Sequence, residues 1–217
     1  MTKKIKLDII SDVVCPWCIV GFNHLNAAIE ELGLQDKVDI QWQPFELNPD
    51  MPSEGEELRA RVARKYGSSK EDSERARANI TQAGANYGFE FNYFDGMKIV
   101  NTFDAHILLD YSYSVGKQMD LKMRLLSAFF TEKKDVSKQE DLLEEADAVG
   151  ISREQALTAL NNDEIKQKVR TLEAQWLQLG VNGVPTVVFD RTSTLTGAQP
   201  QENCKQVLQE LAQQYGY

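Results

Sequence analysis

The sequence predicts an α/β protein in which a β-α-β opening and an α-β-β-α close frame a long helical insertion. Three observations carry this prediction. Apolar residues alternate at Ile5, Leu7 and Ile9 and again at Val38, Ile40 and Trp42, on either side of a stretch with helical spacing. From about residue 53 to about residue 160, helix start signals recur without strand alternation. A β-branched run, Thr186-Val187-Val188-Phe189, then sits between two further helical patterns.

Each element has its own local reason. After the first strand, Gly21, Phe22, Leu25, Ala28, Ile29 and Leu32 repeat at helical spacing, and Gly33 is a natural C-cap. The second strand runs into Pro44-Phe45-Glu46-Leu47-Asn48-Pro49. In the insertion, Ser53-x-x-Glu56, Ser137-x-x-Glu140 and Ser152-x-x-Gln155 fit capping boxes, and Asn101-x-x-Asp104 is a looser form. Gly67, Gly88, Gly116 and Gly150 fall where helices should end. The charged, alanine-rich stretch from Ser68 to Asn86 predicts an exposed helix. Asp163 to Leu179 predicts a long amphipathic helix, followed by the loop Gly180-Val181-Asn182-Gly183-Val184-Pro185. A turn at Asp190-Arg191 leads to a strand at Thr194-Leu195-Thr196. A last helix follows Pro200 and carries Cys204, Val207, Leu208, Leu211 and Tyr215 on one face.

Without the insertion the order is β-α-β-α-β-β-α, that of thioredoxin. The expectation is therefore a thioredoxin-like α/β fold, with residues 1–48 and 163–217 forming the core domain and 49–162 a helical subdomain. The length of 217 residues fits one core with an insertion and is enough to bury that core without disulfide staples. A net charge of −9 disfavours nucleic acid or an acidic membrane surface as the main partner. No run approaches 18 apolar residues, so no membrane span is expected. The basic opening Met1 to Lys6 is interrupted by Asp8 and Asp12 before a signal-peptide core could form, which leads to an expectation of a cytoplasmic protein.

Only three cysteines occur, which excludes a disulfide scaffold, but two of them form Cys15-Pro16-Trp17-Cys18. A cytoplasmic thiol pair points to catalysis or metal binding. No second CxxC or closely spaced histidine pair accompanies it, so a zinc half-site lacks ligands and no metal is expected. An inert buried pair is the other bland alternative. Against it stands the position at a strand–helix junction. Cys15 would lie at a helix N-terminus, where unpaired N–H groups and the positive dipole end favour a thiolate. Cys18, one turn in, would resolve the mixed disulfide that Cys15 forms. Pro16 loses no N–H at a first-turn position, and Trp17 gives the tip an aromatic surface.

Together, the strand–CPWC–helix, Gly183-Val184-Pro185-Thr186 and Gly197-Ala198-Gln199-Pro200 resemble the DsbA-like thioredoxin superfamily. Asp12-Val13-Val14-Cys15-Pro16-Trp17-Cys18, Pro44 to Pro49 and Asn101-Thr102-x-x-Ala105-His106 resemble its FrnE-like branch, whose members are cytosolic thiol–disulfide oxidoreductases. The resemblance implies a cis Pro185 facing the CxxC, with Val184 presenting backbone groups to an extended substrate. It also implies that the helix of His106 lies beside the active site. Kappa-class glutathione transferases and 2-hydroxychromene-2-carboxylate isomerases are relatives that typically carry serine in place of Cys15 and use glutathione. A glutathione-dependent isomerase or transferase is thus the alternative function, and glutathione a possible co-substrate, with no tightly bound cofactor.

The supporting residues have competing readings. Asp12 either opposes the thiolate or passes protons, or is a turn residue. Phe45, with Trp42 and Phe103, either lines an apolar groove or is core. Asn48 is a candidate substrate contact. Asn101 is a candidate contact or a helix cap, and His106 a site residue or a partner of Asp110 at i,i+4. His24 is expected at the surface or at its boundary with the apolar stripe, and Cys204 as a buried, inert thiol. The expected partners are protein or small-molecule thiols and disulfides, acting on a monomer or homodimer. A chaperone that holds unfolded clients on the helical block is a non-enzymatic rival.

Overall fold

The computed structural model describes residues 3–217; Met1 and Thr2 of the basic opening lie outside them. In chain order the elements are β1 (Ile5–Ser11), α1 (Pro16–Glu31), β2 (Val38–Pro44), β3 (Glu56–Glu57), α2 (Leu58–Tyr66), α3 (Lys70–Ala85), β4 (Lys98–Ile99), α4 (Phe103–Ser114), α5 (Gln118–Phe130), α6 (Gln139–Ala148), α7 (Arg153–Leu160), α8 (Asp163–Gln178), β5 (Thr186–Phe189), β6 (Ser193–Thr196) and α9 (Gln201–Tyr215). They form two compact units, one ending at Leu47 and resuming at Thr171, the other spanning Asn48–Arg170.

The first unit is built on a four-stranded sheet of order β2-β1-β5-β6. β1 and β2 are parallel, with Ile9 opposite Trp42, and α1 is their crossover. β5 runs antiparallel to β1, with Ile9 opposite Val187. β1 is central and covered on both faces, which is why Ile5, Leu7, Ile9 and Ile10 are all buried. Each such side chain contributes roughly 1.5–3 kcal/mol. Asp8 and Ser11 are the buried polar residues on β1, and Asp8 is the charged one. Its carboxylate accepts from Gln43 Nε2 at 2.6 Å and faces Lys6 Nζ at 3.5 Å. The β5–β6 hairpin turns through Asp190 and Arg191, both at positive φ (47° and 59°), the backbone sense that matches strand twist. α9 is clipped to α1 where Lys205 and Gln201 both bond the Glu31 carboxylate.

The second unit is mostly helical, as the start signals predict, but not wholly. β3 and β4 make a two-residue antiparallel ladder that alternation could not reveal at that length. Two of the three predicted capping boxes do not form. Glu56 belongs to β3, and its carboxylate is taken by Arg61 and Arg64; Glu57 caps α2 instead, accepting from Ala60 N at 2.6 Å. Ser137 bonds Asp135 through both its amide and its hydroxyl, and α6 starts two residues later without a side-chain cap. The Ser152–Gln155 box is complete in both directions. Gly67, Gly88, Gly116 and Gly150 all take positive φ where helices end. α3 buries only Ile80 and Gly84, as expected of an exposed helix.

The boundary between the units falls inside α8, later than the break placed before Asp163. Helical periodicity marks where a helix starts, not which residues each half touches. The first half of α8 ties into the second unit, through Lys168 to Asp110 at 2.7 Å and the Arg170 guanidinium 3.6 Å above the Phe103 ring. The later Trp176 packs in the first unit. Among the described residues, no helix is long and apolar enough to cross a membrane.

Candidate active site

β1 ends at Ser11, and a short turn delivers Cys15 as the N-cap of α1 with extended backbone (φ −100°, ψ 109°). Pro16 occupies the first turn, where its missing N–H costs nothing. The Cys15 amide donates to Asp12 O at 3.4 Å, and the Cys18 amide to Cys15 O at 3.1 Å. The two cysteines therefore sit one turn apart at the positive end of a 16-residue helix whose first turn carries no acidic residue. Cys15 and Cys18 are thiols, and both are buried. Trp17 stands out between them at 43% exposure, giving the predicted aromatic tip.

The loop before β5 meets this helix. The Val184–Pro185 bond is cis, and the Cys15 thiol donates to Val184 O at 3.7 Å. This loop and the 197–200 loop are held from several sides. Pro185 O accepts from Gly197 N at 2.7 Å, Gly183 O accepts from the Thr186 hydroxyl at 2.8 Å, and His24 Nδ1 lies 2.8 Å from Gln199 O. A Cβ at Gly21 would lie 3.0 Å from Pro185 Cγ and 3.2 Å from Ala198 Cα, so α1 approaches both loops across a bare backbone.

Val184 also packs into an apolar cluster of Ile10, Phe45, Val181, Leu47, Trp176 and Val188. Phe45 thus lies among core residues directly behind the loop. Trp42 sits against Phe22, with ring centroids 5.0 Å apart. Asp12 is fully buried, and its Oδ2 accepts from Leu47 N at 2.8 Å, a structural bond of the kind a turn residue makes.

Asn48, Asn101 and His106 belong to the second unit. Asn48 accepts from Arg61, and its carbonyl from Met51 N, so it closes a turn. Asn101 accepts from Phe103 N at 2.9 Å, while the N-cap residue of α4 is Thr102. His106 is buried on α4, and Asp110, four residues on, is paired with Lys168. Cys204 is buried on α9, and burial pushes its thiol up to about 11.

Two contributors escape a sequence reading. Gly21 reads as one more residue of the helical apolar stripe. Its signal is that a glycine inside a helix costs about 1 kcal/mol and so calls for a packing reason. The Leu47 amide has no signal, because a backbone N–H is the same in every non-proline residue.

Comparison with known proteins agrees with this fold. The Bacillus subtilis (strain 168) protein YwbO is 26% identical over 193 residues, covering 88% of this chain and 89% of that protein. The crystal structure of a probable DsbA oxidoreductase from Streptomyces coelicolor superposes with a TM-score of 0.89 at 29% identity, covering 98% of this chain and 90% of that one. The cytosolic disulfide reductase DsbM from Pseudomonas aeruginosa, solved with glutathione, shares the fold at a TM-score of 0.66 and 17% identity, covering 96% and 99%. The family model of the DSBA-like thioredoxin domain matches residues 6–209, both halves of the core and the insertion between them, and the chain belongs to that family.

Proposed function

We propose that this protein is a thiol–disulfide oxidoreductase working through Cys15 and Cys18. The observation that carries the reading is the Cys15 thiol at the N-terminus of α1, hydrogen-bonded to the carbonyl of the residue before Pro185. The 183–186 loop offers backbone to an extended chain carrying the target disulfide.

In the reductive direction, the Cys15 thiolate attacks one sulfur of the substrate disulfide. The other sulfur leaves as a thiolate and takes up a proton, and Cys15 is held in a mixed disulfide. Cys18, as thiolate, then attacks Cys15 Sγ, forming the Cys15–Cys18 disulfide and releasing the second substrate thiol. Two electrons have passed to the substrate. Two molecules of a small thiol such as glutathione would restore the dithiol, leaving as their own disulfide. Glutathione is thus proposed as a co-substrate, with the cytoplasm as the compartment. The solved DsbM, which shares the fold, is a cytosolic disulfide reductase with glutathione. Trp17 is assigned to substrate contact by its exposure at the tip.

The test is insulin reduction with dithiothreitol or glutathione as electron source. Catalysis is expected for the parent and lost in Cys15→Ser. A Cys15→Ser protein as active as the parent sinks the proposal. Activity that survives Cys18→Ser but requires saturable glutathione binding moves the assignment to the glutathione-dependent isomerase or transferase class.

A further inference from the structure

We infer that Asp12 is a positioning residue for Cys15, acting through the Leu47 amide and the Val184 loop. This inference rests on the disulfide-exchange reading of the site. Asp12 is fully buried three residues before the nucleophile. A carboxylate buried that deeply is costly unless its oxygens are bonded. Its bonds span the two sides of the site. Its backbone carbonyl accepts the Cys15 amide at 3.4 Å, and its Oδ2 accepts the Leu47 amide at 2.8 Å, where the chain leaves β2. The Leu47 side chain packs in the cluster that holds Val184, and the Val184 carbonyl receives the Cys15 thiol at 3.7 Å.

These contacts close a ring through the shared cluster: Asp12 bonds Leu47, Leu47 and Val184 both pack on Ile10, Phe45 and Val181, Val184 accepts from Cys15, and Cys15 returns to Asp12. Loosening the Asp12–Leu47 bond frees the 45–47 segment that backs Val184. The carbonyl that registers the thiol then loses its support, along with the backbone edge where an incoming chain must lie. The bond is what matters in this role, and the negative charge is not required for it. An asparagine keeps an oxygen acceptor at the same place, whereas an alanine does not.

The experiment compares Asp12→Asn and Asp12→Ala in the full-length protein. Steady-state reduction of a disulfide peptide gives KM and kcat, and the pH dependence of Cys15 alkylation by iodoacetamide reads the thiol itself. Expected for Asp12→Ala is a KM raised about tenfold, with kcat and the alkylation midpoint close to the parent. Asp12→Asn is expected within about twofold of the parent in both constants. Should Asp12→Ala fail to fold by circular dichroism, Leu47→Pro removes the same bond from the donor side and should raise KM likewise. The inference is overturned if Asp12→Asn lowers kcat and moves the alkylation midpoint, which would mark Asp12 as a charge or proton carrier. It is also overturned if neither bond-breaking variant changes KM. Loss of the disulfide-exchange reading would show separately, as a parent no faster than Cys15→Ser.

Discussion

The thiol of Cys15 donates to the carbonyl oxygen of Val184 at 3.7 Å, joining residues 169 positions apart in the chain. The contact sets Cys15 against the cis-Pro185 loop, where the proposed exchange would take place. It implies a division of labour between the two cysteines. Cys15→Ser should abolish turnover. Cys18→Ser should still attack but not release, so a mixed disulfide with one substrate thiol accumulates and is visible in the intact mass under non-reducing conditions. Rapid turnover by Cys18→Ser without such an adduct would contradict the order of events.

Gly21→Ala should weaken the site from behind. The added methyl meets Pro185 Cγ at 3.0 Å and Ala198 Cα at 3.2 Å, and the Gly197–Pro185 hydrogen bond limits how far that loop can retreat. Overpacking of this kind costs roughly 1–3 kcal/mol and exceeds the helix-propensity gain of about 1 kcal/mol. Net destabilisation of about 1 kcal/mol is expected in urea unfolding, with a larger loss for Gly21→Val.

Cys204 should behave as a packing residue. Burial raises its thiol from 9.0 to about 11, so at pH 8 almost none is thiolate. Under native conditions iodoacetamide should label Cys15 and spare Cys204, which becomes reactive only on unfolding. The folded state keeps this proton over the window from 9 to about 11 while the unfolded state releases it, so Cys204 lowers stability as pH rises through that window. Cys204→Ala should flatten this alkaline decline in a thermal melt.

One ionic centre of the second unit is built on a buried carboxylate. The Glu145 carboxylate is buried and bonds Arg124 at 2.6 Å and Lys134 at 2.7 Å, whereas Glu144 is 60% exposed in its pair with Lys134. Glu145→Ala should cost about 2 kcal/mol. That is below the roughly 3–5 kcal/mol of a fully buried pair, because Arg124 and Lys134 reach water. Glu144→Ala should change stability by less than about 0.5 kcal/mol. Thermal denaturation of the two variants checks the contrast.

Glu132 beside this centre predicts an acid response. Partial burial pushes its carboxyl up, but the Arg124 bond and charge, with Lys134, carry it below the usual value of 4.5. Its contribution is present above that value and is lost as pH falls through the lowered one. Glu132→Gln should therefore narrow the gap in melting temperature between pH 6 and pH 4.

What could be read along the chain was whatever local physics dictates. Alternation at Ile5 to Ile9 and the β-branched Thr186 to Phe189 announced the core strands, and glycines at left-handed positions ended the helices. The CPWC motif announced a cysteine pair at a strand–helix junction, because a helix terminus and a thiol are local features. Where several carboxylates and hydroxyls competed for one helix end, the local rule failed: Glu57 took the cap that Ser53 seemed to mark, and Ser137 turned to Asp135.

By itself, then, the sequence determined the order of the core elements, the cysteine pair at the strand–helix junction and the buried third cysteine, since these follow from spacing and residue type. Only the tertiary structure decided that Val184 accepts the Cys15 thiol, that Gly21 is a point of close approach, that α8 serves both units and that Asp12 grips the Leu47 amide. Each depends on atoms distant in the chain, and several on backbone groups that no residue type announces.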